Sequence, residues 1–179
     1  MRLTELSRKR LRKLADYIER HPDFYDQDQW GSALLPTYRP TNGQLFELAR
    51  KVKERDEPMC GTAACLAGHA AALAGYTVTG SRAIKVPHRK PDGRTAGEAA
   101  EVEDVRAAAC QWLFDDRQAD DHFDFDLFVG SPTGYEDWDE NVWPDSYANE
   151  YGEAGTNRGR ARAAARLLRD IADGKVNLF

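Results

Sequence analysis

Residues 63–73, Ala63-Ala64-Cys65-Leu66-Ala67-Gly68-His69-Ala70-Ala71-Ala72-Leu73, carry one polar side chain, His69, and no fixed charge. A helix that is apolar almost all round is stable only when other elements enclose it. Its small side chains let those neighbours approach closely. The chain must therefore supply amphipathic elements to wrap this segment, and that requirement narrows the fold before any other motif is weighed. Thr62 stands where an N-cap is expected, and Gly75 where a helix ends.

Wrapping elements are easy to find. Residues 4–20 place Leu11, Leu14, Ala15 and Ile18 at helical spacing, and Pro22 stops the run. Residues 157–173 do the same with Ala161, Ala164, Ala165, Leu168, Ile171 and Ala172, ending at Gly174. A helix is predicted from Thr41, with Gln44 at capping-box spacing. Another is predicted over 98–114, with Ala99, Val102, Val105, Ala109, Trp112 and Leu113 inward, and a short one over 117–128. Tyr76–Thr79 and Ala83–Val86 favour strands and predict a hairpin. The expected fold is mainly α, or α with one small β-hairpin: a compact helical bundle around the buried Ala/Gly-rich helix. At roughly 150 residues per domain, 179 residues predict a single domain over 1–179, with irregular loops near 22–40, 87–97 and 130–156. No alternation of strands and helices suggests a doubly wound nucleotide-binding sheet.

Charge is segregated. Residues 1–20 carry seven cations and three carboxylates, a balance of +4; residues 115–153 carry one Arg and thirteen carboxylates, −12; residues 154–179 return to +4. Mutual neutralisation within the fold is the simplest use of such a map. A basic partner for the acidic stretch, or phosphate for the basic cluster Arg8–Lys13, is the sharper one. An isoelectric point near 5.4 argues against a dedicated nucleic-acid binder. No apolar run reaches the roughly 18 residues of a membrane span, and basic Met1–Lys13 lacks the apolar core of a secretory signal. Three cysteines do not make a disulfide framework and fit a reducing, cytoplasmic setting.

Cys60-Gly61-Thr62-Ala63-Ala64-Cys65-Leu66-Ala67-Gly68-His69 is the most distinctive motif. As packing, Gly61 turns, Thr62 caps, and Cys65 and Gly68 fill close helix contacts. As a metal site, Cys60, Cys65 and His69 are the candidate ligands, with Cys110, His88 or His122 needed as a fourth. As a catalytic site, Cys60 beside a helix N-terminus is the nucleophile, with His88 or His122 as base. Packing is the preferred reading, so no cofactor and no catalytic residue are expected.

Farther on, Tyr135, Trp138, Trp143, Tyr147 and Tyr151 are interleaved with Asp137, Asp139 and Glu140. Aromatics rimmed by acid suit either packing for a long loop or a protein-contact surface, and on the second reading these eight are the candidate partner-binding residues.

The helix around Leu11-Arg12-Lys13-Leu14-Ala15-Asp16-Tyr17-Ile18, the C-G-T-x-x-C-x-A-G segment at 60–68, Trp112-Leu113-Phe114, Leu127-Phe128 and Trp143-Pro144 together resemble a group of small proteins of actinobacteria and their bacteriophages. In that group the place of His69 is often aromatic. The group has no established activity, so the resemblance implies no catalytic residue. The expected function is a non-enzymatic, bacteriophage-type accessory protein that binds a host or phage protein. The alternatives are a small cysteine-dependent hydrolase or transferase using Cys60, and a zinc-stabilised or nucleic-acid-binding regulator.

Overall fold

A computed structural model describes residues 3–26, 64–79, 82–85, 101–115 and 145–176. Five helices and a small sheet make up these residues: α1 (Glu5–Arg20), α2 (Leu66–Leu73), β1 (Thr77–Thr79), β2 (Arg82–Lys85), β3 (Glu101–Asp104), α3 (Val105–Phe114), α4 (Asp145–Glu153) and α5 (Asn157–Ala172). A 3-10 turn, Pro22–Phe24, follows α1. The fold is mainly α, as the periodicity predicts. The helix expected from Thr41, the one over 117–128 and the loop at 87–97 lie outside the described residues.

The outer helices are set by caps and stripes. Thr4 caps α1 by accepting from the Ser7 amide at 3.1 Å, and Leu11, Leu14, Ala15 and Ile18 are fully buried. Thr156 caps α5 by accepting from the Gly159 amide at 3.1 Å, and its inward alanines, Leu168 and Ile171 join the same core. The two helices run antiparallel. Arg8 Nη1 donates to the Ala172 carbonyl at 3.0 Å, Arg12 reaches Asp173, and Arg169 reaches Asp16 and Glu19. The first of these supplies a donor to a carbonyl that the helix end leaves unpaired.

α1 and α5 pack directly on each other, and the Ala/Gly-rich segment lies against α3 and α1. In α2, Leu66, Ala67, Gly68, His69, Ala70 and Ala71 are all buried, as a helix without a polar face must be. It packs chiefly on α3. Gly75, at φ 91°, ends it: its amide bonds to the Ala72 carbonyl and the Tyr76 amide to that of Ala71. That paired arrangement needs a left-handed residue, which glycine supplies without steric cost.

Three boundaries differ from expectation. First, α2 begins at Leu66 with Cys65 as N-cap, not at Thr62. Ala64 is instead extended and forms a parallel bridge with Tyr25, a contact between distant segments that no local rule anticipates. Secondly, residues 101–104 are a strand, not the first turn of the helix predicted over 98–114. The sheet thus has three strands in the order β1-β2-β3, both pairings antiparallel, with Val78 opposite Ala83 and Ile84 opposite Val102. Val102, Val105 and Ala109 fit a helical stripe, but Asp104 caps α3 from its side chain, accepting from the Arg106 amide at 2.8 Å. Thirdly, Asp145–Glu153 is helix where an irregular loop was expected, because Tyr147 and Tyr151, one turn apart, both bury against the core.

The turn from α4 into α5 is tight. A Cβ added at Gly159 would lie 2.6 Å from the Ala154 Cβ and 2.9 Å from its carbonyl oxygen. Overpacking of this kind costs about 1–3 kcal/mol, of which alanine's helix preference returns up to about 1. Gly159→Ala is therefore expected to destabilise the chain by about 1 kcal/mol net. Gly152→Ala, where nothing approaches the added Cβ, is expected to be neutral or stabilising. Urea midpoints of the two variants check the contrast.

Candidate functional site

The sequence motif meets the fold at the N-terminus of α2. The bridge to Tyr25 is made by the Ala64 amide donating to the Phe24 carbonyl at 2.8 Å and the Asp26 amide donating to the Ala64 carbonyl at 3.1 Å. One turn into the helix, His69 Nε2 also contacts the Phe24 oxygen, at 2.9 Å. A carbonyl oxygen can only accept, so Nε2 carries the proton and Nδ1 holds the lone pair. Phe24 thus accepts from both the Ala64 amide and the His69 ring. The imidazole is enclosed by Tyr17, at 5.5 Å between ring centroids, and stacks with Tyr25 at 6.3 Å.

Burial governs the chemistry of both motif side chains. It pulls the His69 pKa down to about 4, aided by nearby His21 and opposed by the carbonyls of Phe24 and Ala64. It pushes the Cys65 thiol up to about 11, against the amides of Gly68 and Ala67, which favour the thiolate. At neutral pH the pair is a neutral imidazole and a protonated thiol, both sealed from solvent. In this state Cys65 is not a nucleophile and His69 is not charged; together they act as packing and as a tie between the 3-10 turn and α2. Cys110 is likewise buried. Cys60, His88 and His122 lie outside the described residues. Among the described residues no group of three or more His, Cys, Asp or Glu converges as a metal site.

The acidic–aromatic segment enters the described structure at α4. Tyr147 and Tyr151 are anchors here, not surface groups. The Tyr147 hydroxyl donates to Asp170 Oδ2 at 2.6 Å, and Tyr151 meets Tyr25 edge-on at 6.2 Å. From outside, Arg166 covers the Tyr147 ring at 4.7 Å and Arg160 that of Tyr151 at 5.7 Å. With both tyrosines turned inward, Ser146, Asn149 and Glu153 remain on the outer side, lining a shallow cavity of about 470 Å³ with Glu150, Gly159 and Arg162. Tyr135, Asp137, Trp138, Asp139, Glu140 and Trp143 lie outside the described residues.

The basic helices are partly neutralised by the chain itself. Arg10 pairs with Asp115, Arg12 with Asp173, Arg166 with Glu150, and Arg169 with Asp16 and Glu19. Sequence reading places Trp112 in the core. It is in fact half-buried, and both Arg10 and Lys13 approach its ring. That juxtaposition joins α1 to α3 across about a hundred residues, and no spacing rule signals it. None of the described helices is long and apolar enough to cross a membrane. Comparison with protein-family models, with curated proteins and with solved structures finds no match to this chain.

Proposed function

We propose that this chain is a non-enzymatic, intracellular accessory protein of bacteriophage type that acts by binding another protein through the acidic–aromatic segment 135–151. The supporting observation is the anchoring of α4. Two buried tyrosines fix the last turns of that segment to α5 and leave Ser146, Asn149 and, just beyond it, Glu153 facing outward. A short rigid helix at the end of a strongly acidic stretch lowers the entropy lost when a partner is engaged. The complementary partner is a protein with a basic surface. Burial of Cys65 and His69 supports the same reading, because it closes these two motif side chains off from solvent.

The test is capture from host lysate, followed by reconstitution with the purified partner. Reversing Asp137, Asp139 and Glu140 to Lys is expected to abolish capture while the thermal midpoint stays within about 5 °C of the parent. Capture by the reversed variant equal to that of the parent removes this surface from consideration.

A further inference from the structure

We infer that the face formed by α1 and α3 around Trp112 binds single-stranded nucleic acid, with phosphates on Lys9, Arg10 and Lys13 and a base against the indole. Arg10 Cζ and Lys13 Nζ each stand 5.9 Å from the Trp112 ring centroid. Lys9 and Lys13 are exposed and four residues apart, so they share one face of α1. Among the described residues no carboxylate pairs with either lysine. Cations interleaved with a partly exposed aromatic ring are the ingredients of a sequence-tolerant single-strand site, where the backbone tracks the charges and bases stack on the ring.

Asp115 adds a second, independent feature. It closes α3 in the left-handed region at φ 58°, which side chains other than glycine rarely adopt. It also puts a carboxylate at a helix C-terminus, where the dipole opposes negative charge. Its carboxylate lies 3.0 Å from Arg10 and is largely exposed, at 59%. An anion is thus held beside Arg10 at local cost, where a phosphate oxygen would bind.

The acidic stretch begins beside the site at Asp115, so a bound phosphate has to displace that carboxylate from Arg10. Residues 1–20 carry +4, and fields decay over about 10 Å at 0.1 M salt. A lipid surface is a poorer occupant, because Leu11, Leu14 and Ile18 of α1 are consumed by the core and Leu6 alone of its leucines stands exposed. An acidic peptide could meet the cations but would gain less than a base from the partly exposed indole.

The experiment titrates the full chain against a fluorescein-labelled oligothymidylate of about 12 nucleotides, within the length range of single-strand sites, by anisotropy at about 50 mM and 200 mM salt. Saturable binding that weakens with salt is expected. Lys13→Gln should lower the salt slope by about one. Trp112→Phe should weaken binding roughly tenfold at an unchanged salt slope. Asp115→Asn, which tolerates the same backbone angle, should tighten binding several-fold by freeing Arg10. Thermal midpoints accompany each variant. Should Trp112→Phe fail to fold, the exposed Lys13→Gln and Asp115→Asn still decide. No binding at the lower salt overturns the proposal. Polyglutamate binding as tightly as the oligonucleotide, or duplex competing as well as single strand, overturns it in favour of a peptide partner or a general polyanion surface.

Discussion

Lowering the pH from 7 to 4 is expected to remove about 3 kcal/mol of stability through His69 alone. The unfolded chain takes up this proton at the ordinary histidine pKa of 6.5; the native chain does not until about pH 4. Between those values the unfolded state binds more protons, so stability falls as pH falls, by about 1.4 kcal/mol per unit. Above 6.5 neither state is protonated, and below about 4 both are, so the slope is confined to that window. The cause is burial of a ring whose Nε2–H is already bonded to the Phe24 oxygen in the neutral form. Urea unfolding at half-unit steps should show the window in the parent. It should be flattened in His69→Gln, which keeps a donor for Phe24 but does not titrate. Equal slopes in the two proteins would disprove the assignment to His69.

The second large effect separates apolar from ionic contributions at the α1–α5 pair. Leu168 is fully buried, and Leu168→Ala is expected to destabilise by about 2–5 kcal/mol, from lost burial and the cavity left behind. The neighbouring residue Arg169 makes two short ion pairs, to Asp16 at 2.8 Å and Glu19 at 2.6 Å. All three side chains are more than a third exposed, so water and salt screen them. Arg169→Ala is expected to cost less than about 1 kcal/mol, and less still in 1 M salt. Chemical denaturation of the two variants at low and high salt makes the comparison. A loss at Arg169 as large as at Leu168 would mean that the helix pair is held by charge.

What could be read from sequence divides along a physical line. α1 and α5 were legible because period and terminator agree: Pro22 and Gly174 terminate, and the stripes before them bury as spaced; the caps Thr4 and Thr156 went unread. Burial of the Ala/Gly-rich run followed from its having no polar face. Contacts between distant segments were not legible. The start of α2 is set by Ala64 pairing with Tyr25, which overrides the capping preference of Thr62. β3 was hidden because Val102 satisfies both a helical and a two-residue period, and only its partner Ile84 decides between them. α4 was hidden because its two tyrosines look like surface aromatics until α5 is placed beneath them. At the candidate sites the same rule holds. His69 was visible as a motif residue, but Phe24, 45 positions earlier, was not visible as its partner. The cations over Trp112 come from a different helix altogether.

The antiparallel pairing of α1 with α5 joins segments as far apart as Arg8 and Ala172, a separation of 164 residues. At about 5–20 residues per second of ribosomal synthesis, the first helix emerges roughly 10–30 s before the last exists. Helix formation itself takes microseconds or less. Throughout that interval Leu11, Leu14 and Ile18 lack the neighbour that later shields them, so the nascent polypeptide presents a sticky stripe to the cell's holdase machinery. Production of this protein should therefore depend on chaperone capacity more than its modest size suggests.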